Sequence, residues 1–398
     1  MEVLLRYHHL PEICRLEVYK RNGGYQALAK ALRLKPAQIV DLVEQSGLRG
    51  RGGAGFSTAI KWRAVLSQER NPHYFVCNIA EGEPGSFKDR ELLKNPHMVL
   101  EATAISAYAI GAQKAFLYLR GSFKQEEQNL KLALLQARNQ QLLPAEIVIH
   151  RGEESYIAGE ETAMLESLEG KRAIPRTKPP RPHEYGLWEC PTVINNVETI
   201  CNLLPILLQG PQAFRNVGTA QSTGTKLFCL SGQIGKPGIY ELPFGLRLSR
   251  LLNDFGGGPR EGRRLVAVFP GGPSTPIIPV EKDPSLDFEG LQAAGSSLGT
   301  GGMIVVDDSS DLKKVAVDTA RFFAEESCGA CPPCSFGTSQ TLQLFEQILS
   351  SGNRSAAKSI LKIREICEMM KLRGQCAHNR AAAMTHLSFL NHFPEVFR

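Results

Sequence analysis

Three cysteines near the carboxyl end of the chain carry the clearest chemical signal. Cys328, Cys331 and Cys334 have the spacing C-x2-C-x2-C, with two prolines between the last pair. Three thiolates at this spacing can bind one iron–sulfur cubane, and the fourth ligand then comes from elsewhere in the chain. Zinc sites usually pair two C-x2-C units, so the triple favours an iron–sulfur cluster. Cys367 and Cys376 are the two later cysteines that could complete it.

A glycine-rich run at residues 50–55, Gly-Arg-Gly-Gly-Ala-Gly, is the second candidate site. It fits the pattern G-x-G-x-x-G, but the preceding residues 39–45 have helical spacing, whereas a dinucleotide fingerprint follows a strand. Glycines nevertheless let backbone N–H groups approach an anionic ligand, and Arg51 and Lys61 could supply countercharge. The alternative is an exposed turn.

Three further polar segments could orient a ligand. Residues 78–90 directly follow a buried strand pattern, residues 156–162 contain two adjacent carboxylates, and residues 191–199 contain two adjacent asparagines. In a doubly wound sheet, ligands bind beyond the carboxyl ends of the strands, where the first segment falls. The alternatives are that the carboxylates complement a helix dipole and that the asparagines cap a helix.

The elements that must position these segments alternate between strand and helix. Strand patterns at residues 74–79, 115–119 and 145–149 are separated by helical patterns at 96–111 and 125–138. This order predicts parallel βαβ units with helices on both faces of the sheet.

The second half of the chain changes in texture. The proline-rich residues 175–191 predict an ordered loop or a linker. From residue 225, short strands, Gly/Pro turns and one helix at 248–255 predict a small α+β unit, and helical patterns continue from 311 to the end. We therefore predict three domains, at residues 1–224, 225–308 and 309–398.

Composition excludes several classes of protein. The chain has 398 residues, 42% apolar and 22% charged, which is typical of a globular protein with more than one core. Its net charge of +6 is not concentrated in a basic run, so we do not expect a nucleic-acid partner. No apolar run approaches the 18 or so residues of a membrane span and the start lacks a secretory pattern, so we expect a cytoplasmic chain without direct membrane insertion.

Together, and in this order, the loops and the cysteine triple resemble the flavin-bearing, NADH-oxidising subunit family of respiratory complex I. The same family includes the diaphorase subunits of NAD-linked hydrogenases and formate dehydrogenases. The resemblance runs from about residue 15 to the end, and its motifs are residues 47–56, Lys61-Trp62, 83–90, 159–162, 168–170, 178–180, 195–199 and 326–329.

The resemblance implies an α/β architecture: a Rossmann-like domain for FMN and the nicotinamide nucleotide, a ubiquitin-like α+β middle domain, and a helical bundle with one [4Fe–4S] cluster. The residues that would line the FMN by motif match are Gly50, Arg51, Gly52, Lys61, Asn78, Tyr156, Gly159, Glu160, Asn195 and Asn196. Glu81 and Glu161 would face the nucleotide, and Phe56 would stack on its adenine.

The cluster ligands implied by the resemblance are Cys328, Cys331, Cys334 and Cys376, with Cys367 the weaker claimant because its neighbours are apolar. The implied activity is NADH:acceptor oxidoreduction, with hydride transfer from NAD(H) to FMN and then single-electron transfer to the cluster. Because cofactors of this kind carry the chemistry, no catalytic side chain is assigned. Implied partners are other iron–sulfur subunits, including a small thioredoxin-like [2Fe–2S] subunit, in an assembly that could lie at the periphery of a membrane complex.

The chain departs from the family on the nucleotide side. Residues 78–81 read Asn-Ile-Ala-Glu where the family has Asn-Ala-Asp-Glu, and Ala64 and Arg181 replace two aromatic residues. Two missing stacking rings, each contributing about 0.5–1.5 kcal/mol, would weaken NADH binding by roughly one to two decades. The segment after Cys376 also differs, and His378 is expected at the surface rather than on the metal.

Several explanations of these departures stay open. Arg181 could stack on adenine and keep NADH as the substrate, or it could meet the 2′-phosphate of NADPH, which Glu161 opposes. Alternatively, the nucleotide site is weakened or lost, and the chain is an FMN and iron–sulfur relay. A scaffold without flavin is opposed by the retained motif residues.

Overall fold

The computed structural model describes residues 2–350 and 353–397. The strands are β1 (His73–Ile79), β2 (Ala112–Leu119), β3 (Glu146–Arg151), β4 (Thr192–Asn196), β5 (Thr225–Gly232), β6 (Gly238–Pro243), β7 (Leu265–Phe269), β8 (Ile278–Pro279) and β9 (Gly302–Asp307). The α-helices are α1 (Leu16–Arg21), α2 (Gln26–Ala31), α3 (Pro36–Ser46), α4 (Thr58–Leu66), α5 (Lys88–Leu92), α6 (Pro96–Ala109), α7 (Lys124–Asn139), α8 (Glu161–Leu168), α9 (Val197–Cys201), α10 (Leu203–Gln209), α11 (Pro211–Arg215), α12 (Leu248–Arg250), α13 (Phe288–Ala293), α14 (Leu312–Glu325), α15 (Pro332–Ser350), α16 (Asn353–Leu372), α17 (Ala377–His392) and α18 (Pro394–Phe397).

The first sheet is parallel, with strand order β3-β2-β1-β4. The three strands predicted from the sequence are confirmed as β1, β2 and β3. The fourth strand was not predicted, because β4 follows the proline-rich loop and ends in two asparagines. β1 lies between β2 and β4 and pairs Phe75 with Ala115 on one side and Val193 on the other. Polar groups that follow β1 and β4 therefore meet at one edge of the sheet.

Helix α6 packs on this sheet and is buried along almost its whole length. It begins at Pro96, and the side chain of Asn95 caps it by accepting from the backbone N–H of Met98. Its buried Glu101 accepts hydrogen bonds from the backbone N–H groups of Tyr25 and Leu28, at 2.8 and 2.9 Å. This carboxylate fastens the amino-terminal helices to the sheet.

The middle of the chain forms a mixed five-stranded sheet of order β6-β5-β9-β7-β8 around its own apolar core. The predicted helix at 248–255 is present but irregular. It starts as α12 and widens into a π-type turn, in which the N–H of Gly256 donates to the carbonyl of Leu251 at 2.9 Å. The α+β class expected for this unit is confirmed.

The carboxyl-terminal part is a helical bundle built mainly from α14, α15, α16 and α17, as the sequence predicts. Its core is aromatic and aliphatic, with Phe323, Phe345, Ile363 and Phe389 almost fully buried. Helix α15 starts earlier than the pattern suggested, because its two prolines occupy the first turn, where the missing N–H costs nothing. Within the described ranges, none of the helices is both long and apolar enough for a bilayer crossing.

A buried cluster of charges joins the two sheets. Glu198 at the start of α9 accepts from the Lys226 ammonium and, at 2.9 Å, from the backbone N–H of Leu227 on β5. The ammonium of Lys88, 3.2 Å away, approaches the same carboxylate. Burial alone would raise the pKa of Glu198, but the two lysines bring it below its usual value, so Glu198 stays ionised.

Replacing Lys226 by methionine should destabilise the protein strongly. The substitution leaves Glu198 fully buried with one cation instead of two, so the free energy of unfolding should fall by about 3 kcal/mol. The matched control is Lys114→Met, which breaks the partly exposed pair with Glu146 and should cost no more than about 1 kcal/mol. Urea unfolding measures both, and equal losses would contradict the role assigned to Glu198.

Candidate cofactor site

A cavity of about 430 Å³ lies beyond the carboxyl ends of β1, β3 and β4. Its volume is within the range of sites for small molecules and cofactors. All three parts of the chain contribute to its wall, including Gly52, Gly53, Asn78, Glu81, Gly82, Glu83, Lys88, Asp89, Tyr156, Gly159, Glu160, Asn196, Ser274, Thr275, Gly299, Thr300, Ala377 and His378. The site is therefore completed only when the first sheet, the middle sheet and the bundle are in place.

Glycines keep part of this wall open. A Cβ atom at Gly52 would come within 3.0 Å of the Asn196 Cβ, and one at Gly82 within 3.1 Å of the Tyr156 Cα. Side chains there would fill the space between the loops, so the glycines let a ligand lie against the backbone. Together with the polar groups of Asn78 and Asn196, this wall leaves room for a flat ligand that lies against the backbone.

The two adjacent asparagines of β4 do different things. Successive strand residues point to opposite faces, so only Asn196 lines the cavity, and its amide donates to Asp89 at 2.7 Å. The side-chain oxygen Oδ1 of Asn195 accepts from the Trp62 indole N–H at 2.8 Å on the other side. Asn195 thus binds Trp62 of helix α4 and does not line the cavity.

Glu83 is a cavity residue that the sequence-based site prediction missed, although it lies two residues after Glu81. Its carboxylate accepts from the hydroxyl of Tyr156 at 2.8 Å and from the hydroxyl and backbone N–H of Ser274 at 2.7 and 2.9 Å. Burial raises the pKa of Glu83 to about 7, against these stabilising hydrogen bonds. Glu83 links the loop after β1 to the loop after β3 and to the middle sheet.

Glu81 lines the cavity, but its oxygens serve its own loop. The carboxylate accepts from Ser86 at 2.8 Å and from the backbone N–H groups of Asp89 and Arg90 at 3.0 and 3.1 Å. Burial and the neighbouring Asp89 raise the pKa of Glu81. The carboxylate shapes the loop that leads into α5.

The Arg51 side chain points away from the cavity, contrary to the expectation that it supplies countercharge there. Its guanidinium donates to the carbonyls of Thr223 and Arg49 at 2.6 and 3.1 Å and lies over the Phe244 ring. Its backbone N–H donates to the Thr199 hydroxyl at 2.8 Å. Arg51 therefore holds the glycine loop from behind.

Glu161 is the centre of a group of charges beside the cavity. Its carboxylate accepts from the ammonium groups of Lys61 and Lys178, both at 2.9 Å. Burial alone would raise its pKa, but the two lysines lower it to about 2. The adjacent Glu160 lines the cavity and caps α8 by accepting from the N–H groups of Thr162 and Ala163 at 2.8 and 3.0 Å.

Phe56 and Arg181, predicted near the nucleotide, lie outside the cavity wall. The Phe56 side chain is 53% exposed, and Arg181 is exposed in the proline-rich loop, where its backbone N–H donates to Glu184 at 3.0 Å. Gly50 does not line the wall either, because its N–H closes the loop on the Phe56 carbonyl at 2.8 Å.

Four of the cysteines lie close enough to affect one another electrostatically. Burial raises the pKa of the Cys334 thiol to about 12, and Cys331, Cys376 and Cys328 act in the same direction. Cys367 is not among these neighbours. It is fully buried in the bundle core beside Ile363, which favours Cys376 as the fourth ligand.

The wall of the cavity and the cysteines are connected by the chain itself. Ala377 and His378 follow Cys376 directly and line the cavity, and the backbone N–H of Tyr156 donates to Glu326 at 2.9 Å, just before the cysteine triple. The sequence suggested that His378 lies at the surface, but the structure buries it. It is 5% exposed, and its Nε2 lies 3.0 Å from the carbonyl oxygen of Phe323.

Within the described part of the chain, no three His, Cys, Asp or Glu side chains converge tightly enough for a single metal ion. A cubane of four irons is wider than one ion, and each of its irons takes one cysteine. The four neighbouring cysteines match this number of ligands.

The comparisons with known proteins agree with this geometry. Residues 43–204 match a family model described as the Nuo51 FMN-binding domain, residues 226–305 an SLBB domain, and residues 314–398 the iron-sulfur binding region of NADH-ubiquinone oxidoreductase-F. An F subunit of NADH-quinone oxidoreductase from Rhizobium meliloti is 44% identical over 407 residues, which cover 99% of this chain and 96% of the relative. The chain belongs to the NADH-binding flavoprotein subunit family of complex I.

A second relative and a solved structure also match along the whole of this chain. The corresponding NADH-quinone oxidoreductase F protein of Streptomyces coelicolor is 40% identical, with 99% of this chain and 90% of the relative covered. Among solved structures, a chain of an NAD+-reducing [NiFe]-hydrogenase in the H2-reduced state superposes with a TM-score of 0.88 at 34% identity. All of this chain is covered, but it spans only 66% of the hydrogenase chain. The matched FMN-binding and iron-sulfur binding models identify the cofactors of this flavoprotein as FMN and a [4Fe–4S] cluster.

The ion pairs of Glu161 predict a specific loss of stability in acid. Because the folded pKa of about 2 lies below the ordinary value of 4.5, the pairs stabilise the protein above that ordinary value and are lost as the pH falls toward 2. Glu161→Gln should therefore lower the free energy of unfolding by about 2 kcal/mol at neutral pH, and this difference should shrink below about pH 4. Urea titrations at several pH values measure it. The exposed Glu69→Gln is the control, and a pH-independent difference at Glu161 would contradict the ion pairing.

The fourth cluster ligand can be tested with a matched pair of variants. Cys376→Ala should remove the iron and the visible absorbance of the reconstituted cluster, whereas Cys367→Ala should keep both, because its thiol packs in the bundle core. Iron analysis and absorption spectra after anaerobic reconstitution measure the outcome. Loss of the cluster in Cys367→Ala with retention in Cys376→Ala would reverse the assignment.

Proposed function

We propose that this chain is the electron-input flavoprotein subunit of a multisubunit oxidoreductase, which takes hydride from NADH on FMN and passes single electrons to its [4Fe–4S] cluster. The observation that carries the proposal is the short chain connection from Cys376 to Ala377 and His378 in the cavity wall. A cofactor in the cavity and a cluster on the cysteines are then neighbours. Bound FMN supplies hydride acceptance and one-electron release.

The residues of the cavity bind and orient rather than react. The backbone at Gly52 and Gly53 leaves room for the cofactor, and Asn78 and Asn196 present polar groups to its edges. Asn78 is itself fixed, because its amide donates to the Gly159 carbonyl at 3.0 Å and its oxygen accepts from the N–H of Ala80 at 3.0 Å. Preorganised donors and acceptors of this kind hold a cofactor in one orientation.

On the nucleotide side, the ionised Glu161 favours NADH over NADPH. A carboxylate can accept hydrogen bonds from ribose hydroxyls, whereas it repels a 2′-phosphate. Arg181 lies exposed in the proline-rich loop and has no ion pair among the residues that the structure describes. Its guanidinium is thus available to stack on adenine in place of the aromatic residue that is common in the family.

Partner subunits follow from the same chemistry. The relatives are named as subunits of NADH-quinone oxidoreductase and the solved structure as an NAD+-reducing hydrogenase. A chain with one flavin and one cluster must pass its electrons on, so other iron–sulfur subunits are expected, including a small thioredoxin-like [2Fe–2S] subunit. We place the assembly at the periphery of a membrane complex.

The second candidate is an electron relay with a weakened nucleotide site. It is favoured by Ala64 on α4 and Arg181, which stand where relatives commonly have adenine-stacking rings. The FMN cavity and the four cysteines would have the same roles in such a relay, and only the source of the electrons would differ.

An anaerobic titration of the flavin- and cluster-loaded protein separates these functions. Stoichiometric or modestly excess NADH should bleach the flavin absorbance and then reduce the cluster, and NADPH should require far higher concentrations, since Glu161 opposes the extra phosphate. Absorption and EPR spectra follow both centres. Reduction by dithionite but by neither nucleotide would reject the dehydrogenase and support the relay.

The same titration tests Arg181. Arg181→Ala should lower the affinity for NADH two- to tenfold, because the stacking contact is lost. Arg172→Ala, at another exposed arginine, should leave this affinity unchanged. A selective loss of NADPH affinity in Arg181→Ala would instead assign Arg181 to the 2′-phosphate.

A further inference from the structure

Two arginines beside the glycine loop stack on phenylalanines of the middle domain. The Arg49 guanidinium lies 4.1 Å from the centre of the Phe288 ring, and that of Arg51 lies 4.5 Å from the centre of the Phe244 ring. The two rings are themselves 5.6 Å apart. Both belong to the apolar core of the middle sheet, so this core extends to the back of the loop.

The same guanidinium groups fix the backbone of the loop. Arg49 Nε donates to the carbonyl of Gly55 at 2.7 Å, across the width of the loop, and its guanidinium pairs with Glu289. Arg51 donates to the carbonyl of Arg49 and to that of Thr223. Arg49 and Arg51 thus hold the conformation of residues 49–55. Phe288 and Phe244 in turn pack on these two guanidinium groups.

The rings matter because Arg51 is a deeply buried cation. It is 1% exposed, and its Nε has no hydrogen-bond partner among the described residues. Burial lowers its pKa to about 10, so it remains charged at neutral pH. The attraction of a cation to an aromatic face is largest when both are desolvated.

Phe288 also contacts the loop directly. Gly55 has a φ of +63°, and a Cβ atom there would come within 2.5 Å of the Phe288 ring. The ring therefore lies against the loop backbone at Gly55, the end of the glycine run. Arg49 donates its hydrogen bond to the carbonyl of this same glycine.

We propose that Phe244 and Phe288 of the middle domain are positioning residues for the glycine loop, and through it for the bound cofactor. The second part rests on the proposed function, since it takes the ligand of the cavity to be FMN. The middle domain is then a part of the cofactor site and not only a spacer before the bundle.

The test compares three substitutions in the full-length chain. Phe288→Leu removes the aromatic face, and Phe288→Tyr keeps an aromatic ring on this half-buried side chain. Phe255→Leu is the matched control, because Phe255 packs in the same core but against Tyr240, 5.9 Å away between ring centres. Amide hydrogen exchange of residues 48–58 in the cofactor-free protein and the rate of FMN release from the loaded protein are measured beside the unfolding temperature.

In Phe288→Leu, we expect loop exchange and FMN release to be faster by on the order of tenfold, with wild-type behaviour restored in Phe288→Tyr. Phe255→Leu should lower the unfolding temperature similarly but leave the loop and the release rate unchanged. Unchanged loop exchange in Phe288→Leu, or an equal increase in Phe255→Leu, would overturn the proposal. If the wild-type chain binds no FMN, the proposed function fails, while loop exchange still decides the role of the phenylalanines.

Discussion

The rest of this structure depends on the ion pairs of the buried Glu198 carboxylate with Lys88 and Lys226. Removing a carboxylate and two ammonium groups from water costs several kcal/mol for each ion, and this cost is offset only where all of them meet. Here they meet at the one point where α9, α5 and β5 come together. Lys88 also donates to Asn196 at 3.0 Å, so the same cluster fixes an amide of the cavity wall.

From that point the cavity is assembled out of parts that are incomplete alone. The parallel sheet brings the loops after β1, β3 and β4 to one edge. The middle sheet closes the cavity through Ser274, which donates to Glu83, and the bundle closes it through Ala377 and His378. A cofactor bound in this shared site would lie near Cys376, which directly precedes Ala377 in the cavity wall, and such proximity suits transfer of electrons to a cluster on the cysteines.

Much of this arrangement could be predicted from the sequence, because the signals are local. The three buried strands, the helices of the bundle and the spacing of Cys328, Cys331 and Cys334 depend on neighbours in the chain. The motifs also indicated some of the polar residues of the cavity wall, namely Asn78, Glu81, Tyr156, Glu160 and Asn196.

What could not be predicted depends on distant contacts. Strand β4 follows a proline-rich loop and ends in two asparagines, so only its pairing with β1 identifies it, and the opposite directions of Asn195 and Asn196 follow from that pairing. The sequence shows that Arg51 is a cation in a glycine loop, but the carbonyl of Thr223 and the ring of Phe244 turn it away from the cavity. His378 is buried because Tyr156 and Phe323 pack on it.

A crystal or cryo-EM structure of the anaerobically reconstituted chain, loaded with FMN and iron–sulfur cluster, would show whether the cavity and the four cysteines hold these two groups. We expect FMN density in the cavity between Gly52, Asn196 and Tyr156, and a [4Fe–4S] cluster on Cys328, Cys331, Cys334 and Cys376. FMN bound elsewhere, or a cluster without Cys376, would contradict this expectation.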